Sequence, residues 1–65
     1  MINLVLLKTS RDVYDVRDAI GHTMTVGELI DELKCYDVDQ PIVFENDNGY
    51  TYGMIDSENL ATQSV

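Results

Sequence analysis

Cys35 and His22 are the one cysteine and the one histidine of the chain, and so the only residues that could pair as thiol nucleophile and base. Such a pair needs a third group to orient the base, and no residue recommends itself for that part. Cys35 falls inside a stretch with helical periodicity, where a lone cysteine ordinarily serves as a small packing residue. Catalysis is therefore not expected. The same two residues fall short of the four soft ligands of a structural zinc site. There is no glycine-rich phosphate loop either, so no cofactor is expected.

Carboxylates are plentiful, and hard oxygen ligands suit calcium or magnesium. Asp37-Val38-Asp39 and Glu45-Asn46-Asp47-Asn48-Gly49 are the two dense stretches. Counted from Asp37, a calcium loop of the EF-hand type wants glycine at its sixth position and glutamate at its twelfth, where the chain has Ile42 and Asn48. These acids read instead as turn residues, and no metal site is expected. Glu28, Asp31 and Glu32 share one side of the predicted helix, with Asp37 and Asp39 just beyond it. The ordinary reading is a solvated face. The sharper reading is a row of carboxylates that imitates nucleic-acid phosphates and fits a basic groove.

Tyr50, Tyr52 and Met54 alternate along one predicted strand and so share a face. Tyrosine joins a large apolar ring to a polar tip and is a common interface anchor. Three readings stay open for this face: the seam of a dimer, a site for a partner, or ordinary core.

The elements that must position these residues follow from the pattern. Residues 2 to 8 form a continuous apolar run through Leu4, Val5, Leu6 and Leu7, the pattern of a strand buried on both faces. Residues 13 to 20 interleave β-branched and aromatic residues with charges, which predicts a second strand paired to the first. Thr25-Val26-Gly27-Glu28 matches a capping box, with Met24 and Leu29 at the staple positions. Val26, Leu29, Ile30 and Leu33 then recur at helical spacing, which predicts an amphipathic helix of about three turns. The stretch from Asp37 to Pro41 ends it, since proline and the residue before it disfavour helical geometry. Residues 42 to 47 and 50 to 55 flank Asn48-Gly49, the sequence of a two-residue type I′ hairpin. That register sets Phe44 opposite Gly53, Glu45 opposite Tyr52 and Val43 opposite Met54. The phenyl ring then covers the bare glycine. The expected fold is α+β with order β-β-α-β-β: a mostly antiparallel sheet with one helix on a face. Residues 1 to 56 form the single domain, and residues 57 to 65 a partly ordered tail.

With 65 residues, such a domain sits near the size where one core barely outweighs chain entropy. One cysteine supplies no internal disulfide, so homodimerisation is the expected source of further burial. Twelve acidic against four basic residues give a net charge of −8, which argues against direct nucleic-acid binding and for a basic partner. The short apolar amino terminus is too brief to span a bilayer and follows no basic region, so no membrane or export role is expected and the cytoplasm is.

Thr25 to Leu33, Tyr36-Asp37, Pro41-Ile42-Val43-Phe44 and Asp47 to Gly53 together resemble a pattern in small proteins of tailed bacteriophages and prophages. The likeness covers residues 24 to 55. It is to a scaffold and carries over no functional residue. Proteins of that class include inhibitors of bacterial defence, such as anti-CRISPR proteins and Hachiman anti-defence proteins, to which this chain is similar in size and acidity. The resemblance implies a phage-encoded inhibitor in the cytoplasm of the infected bacterial host, acting by direct binding to a host defence protein. Tyr50, Tyr52 and Met54 would supply apolar contact, and Glu28, Asp31, Glu32, Asp37 and Asp39 charge complementarity. The alternatives are a nucleic-acid-mimicking anti-CRISPR protein, a small-nucleotide sponge using Lys8, Arg11, Arg17 and Lys34 at a subunit seam, and an accessory phage structural protein. A toxin or antitoxin role ranks below these.

Overall fold

The computed structural model describes the whole chain, Met1–Val65, which divides into two compact units. One unit comprises Met1–Ser10 with Pro41–Val65, and the other Arg11–Gln40. The first is built on three strands, β1 (Val5–Lys8), β2 (Ile42–Asn46) and β3 (Thr51–Met54), in the order β1-β2-β3. The second holds the helix α1 (Val26–Leu33). The fold is therefore α+β, but the sheet is mixed. β1 runs parallel to β2, with Val5 opposite Ile42 and Lys8 opposite Glu45, while β3 runs antiparallel to β2. A parallel neighbour requires a long crossover, and residues 9 to 41 supply it with α1 inside.

Hydrogen bonds fix both ends of the parallel pair. The Val5 amide donates to the Pro41 carbonyl at 2.9 Å, and the Thr9 amide to the Glu45 carbonyl at 3.1 Å. The Thr9 hydroxyl adds a bond to Asn46 Oδ1 at 3.0 Å. The expectation that β1 is buried on both faces is corrected: only Val5 is half-buried, and Leu6, Leu7 and Lys8 are exposed. An edge strand with a single neighbour lacks the flanking strand that would cover it. β2, the central strand, is half-buried along its whole length.

Residues 13 to 20 do not form the expected second strand. Asp15 instead caps a 3₁₀ turn at Val16–Asp18. Its carboxylate accepts from the Arg17 amide at 3.0 Å, from Arg17 Nε at 3.2 Å and from Arg17 Nη2 at 2.8 Å. These bonds satisfy the backbone locally, in competition with a strand ladder. They also hold the Asp15 carboxyl below its ordinary value, the side-chain bond from Arg17 being the larger cause.

The capping box forms as expected. Thr25 Oγ1 accepts from the Glu28 amide at 3.2 Å, and Glu28 Oε1 accepts from the Thr25 amide at 3.0 Å. Val26, Leu29, Ile30 and Leu33 recur along one side of α1. The helix is shorter than expected and ends at Leu33. Cys35 donates to the Glu32 carbonyl and Tyr36 to the Leu33 carbonyl, each three residues back, so the chain tightens and leaves the α-helical path before Asp37. Cys35 thus lies beyond the helix and is exposed. Residues 57 to 59 form a further 3₁₀ turn capped by Asp56. No helix is long and apolar enough to cross a membrane.

Two outcomes check the cap. Thr25→Ala should lower stability by about 1 kcal/mol in chemical denaturation. Glu28 is held below its ordinary value by the hydrogen bond from the Thr25 backbone, and secondarily by that with its side chain. Because its folded value is depressed, its stabilisation is complete above the unfolded glutamate value and is lost as pH falls through the folded one. Far-UV circular dichroism should therefore show an acid loss of helix that is smaller in Glu28→Gln.

Candidate functional site

Strand register decides which side chains meet. On one face of the sheet Val5 lies beside Ile42, and Leu7, Phe44 and Gly53 form a cross-strand row. A Cβ added at Gly53 would sit 3.4 Å from both Cβ and Cδ2 of Phe44, so the phenyl ring covers the glycine as the sequence suggests. On the other face Leu6, Val43 and Met54 form one row and Lys8, Glu45 and Tyr52 the next. This second face is the candidate site: an aliphatic row beside one that mixes opposite charges with an aromatic ring.

Of the three residues expected to share a strand face, the structure brings together Tyr52 and Met54, which are 60% and 89% exposed. Tyr50 is corrected. Strand pairing stops at Asn46 and Thr51, and Tyr50 lies in the loop with helical backbone angles. The cause is the turn. Asn48 and Gly49 take the positive φ values of a type I′ centre, and the Tyr50 amide bonds the Asp47 carbonyl at 3.2 Å. Asp47 also has positive φ, and the Tyr50 amide further reaches the Asn46 carbonyl at 3.1 Å. A four-residue loop, 47 to 50, therefore replaces the expected two-residue one, while the register of the strands is unchanged. The loop also positions Tyr52, whose hydroxyl lies 3.4 Å from where a Cβ on Gly49 would stand.

The five acids belong to the other unit. Glu28 is engaged in the helix cap. Asp31 lies 3.4 Å from Lys34 Nζ, an exposed pair one turn apart. Asp37 and Asp39 stand in a turn closed by the Gln40 amide on the Asp37 carbonyl and by Gln40 Oε1 on the Asp37 amide. The carboxylates of Glu28 and Asp31 thus have local duties, whereas Asp37 enters its turn only through backbone atoms. No group of three or more His, Cys, Asp or Glu side chains converges to hold a metal ion.

Sequence reasoning missed Leu6 and Lys8 as members of the face. The signal was present in the apolar run of residues 4 to 7, but placing it requires knowing that β1 pairs with β2. No protein-family model matches the chain, and neither a curated protein nor a solved structure matches it.

The backbone of Gly49 makes the turn testable. Gly49→Ala would force a side chain into φ +91°, with the Tyr52 hydroxyl at ordinary contact distance. It should cost about 1 kcal/mol or more in urea denaturation.

Proposed function

We propose that this chain is a non-catalytic binding protein, a phage-encoded inhibitor that works in the cytoplasm of the infected bacterial host by occupying a host defence protein. The single observation that supports it is the sheet face of Leu6, Val43, Met54 and Tyr52, of which Met54 and Tyr52 on β3 are mostly exposed. Contiguous apolar groups bordered by charge are the make-up of an interface centre and its rim. The partner that fits is a protein with an apolar surface edged by Lys and Arg, because the chain carries a net charge of −8.

The nucleotide-sponge alternative has less support. Of the four cations it would recruit, Arg17 is clamped by Asp15 at 2.8 Å and Lys34 faces Asp31. The phosphate-mimic alternative has to use acids of which Glu28 serves the helix cap.

Expression of the chain in bacteria carrying single defence systems, challenged with a restricted phage, tests the proposal. Plating should recover with one system and fall back when Tyr52 and Met54 are both changed to Ala, with circular dichroism unchanged. Full recovery of plating with that double variant would remove the sheet face from the proposal, and no recovery with any defence system would remove the inhibitor role. Neutralising Glu28, Asp31, Glu32, Asp37 and Asp39 together should weaken binding and flatten its salt dependence.

A further inference from the structure

β3 stands at one edge of the sheet, with β2 as its only ladder partner. Its outer side carries backbone N–H and C=O groups, and no backbone hydrogen bond joins Thr51–Met54 to a segment outside the sheet. Natural edge strands are shielded by a charge, a proline, a bulge or a covering element, because a bare edge is a template for another strand. The opposite edge, β1, has such a shield in Lys8. β3 reads Thr51-Tyr52-Gly53-Met54, without charge or proline, and pairs with β2 residue for residue without a bulge. The uncharged run extends from Asn48 to Ile55. In a chain of net charge −8, that makes β3 an edge along which a second copy meets no carboxylate within the strand.

We propose that β3 is a homodimerisation edge, pairing antiparallel with β3 of a second copy about a two-fold axis normal to the sheet. An antiparallel strand pair is self-complementary, so the same residues serve both subunits. The result is a six-stranded sheet of order β1-β2-β3-β3-β2-β1, which removes one open edge from each subunit. An axis normal to the sheet keeps like faces together. Tyr52 therefore lies opposite Tyr52 or Met54 of the partner subunit, never opposite Gly53. The two candidate faces become one surface, although the pairing stands independently of the proposed inhibitor role. Two like-charged chains repel through water, so the dimer should tighten as salt rises, the reverse of an acidic chain binding a basic target.

Light scattering of the full chain across concentration and salt, combined with hydrogen exchange, tests this. The expected result is a dimer favoured by salt, with alternate amides of Thr51–Met54 gaining protection as concentration rises. Thr51→Lys should weaken the dimer by about tenfold or more with circular dichroism unchanged. A monomer at every concentration would overturn the proposal, and so would a dimer whose added protection falls on β1 or α1. A Thr51→Lys chain that folds and dimerises undiminished would overturn it as well. If that variant fails to fold, the exchange pattern of the unaltered chain decides.

Discussion

The sheet depends on one strand with two neighbours. β2 pairs with β1 on one side and β3 on the other, and every cross-strand row of either face passes through Ile42, Val43, Phe44, Glu45 or Asn46. A slip of one residue in either ladder would carry a whole strand's side chains to the opposite face. The parallel ladder is guarded against that slip at both ends, by the Val5 amide on Pro41 and by Thr9 on Glu45 and Asn46. The antiparallel ladder is guarded by its loop, where three successive positive φ values at Asp47, Asn48 and Gly49 reverse the chain. Tyr52 and Met54 owe their common face to these two devices.

The segment between β1 and β2 is organised differently. Its structure is a succession of local closures: the Asp15–Arg17 clamp, the Thr25–Glu28 box, the tightened turn at Cys35 and Tyr36, and the Asp37–Gln40 turn. Each joins residues close in sequence, and two of them use acidic side chains, those of Asp15 and Glu28. Charge here is partly a means of fixing backbone. This is why a reading that treats the acids as one docking surface must first subtract those with structural duties, Glu28 above all. The sheet face carries no such deduction for Leu6, Val43 and Met54, whose side chains have no polar groups to commit.

How much of this was legible in the sequence follows from contact distance along the chain. The helix start was readable because a capping box is complete within four residues, Thr25 to Glu28. The hairpin register was readable because Asn48-Gly49 marks its centre, and Phe44 does cover Gly53. The loop length was not, since positive φ at Asp47 is within the tolerance of aspartate and leaves no pattern of its own. Residues 13 to 20 misled because Val13, Tyr14 and Val16 favour strands, while the bond from Arg17 to Asp15 spans two residues and wins locally. The parallel pairing of β1 was invisible for a deeper reason. Nothing in Leu4 to Leu7 specifies whether the strand finds a nearby antiparallel partner or a distant parallel one, and the choice rests on long-range contact. Leu6 and Lys8 were missed as members of the candidate face for that reason, and Tyr50 was wrongly included for the other.

The most direct measurement is the set of inter-strand nuclear Overhauser contacts of Val43 in solution. Val43 sits between Leu6 and Met54 in the row on which the candidate face depends. Contacts from Val43 to both residues, with backbone contacts of the parallel type between β1 and β2, are the expected result. Contacts of β1 with residues 13 to 20 instead, in an antiparallel pattern, would contradict it, because Leu6 would then leave the row and the face would lose one of its three strands.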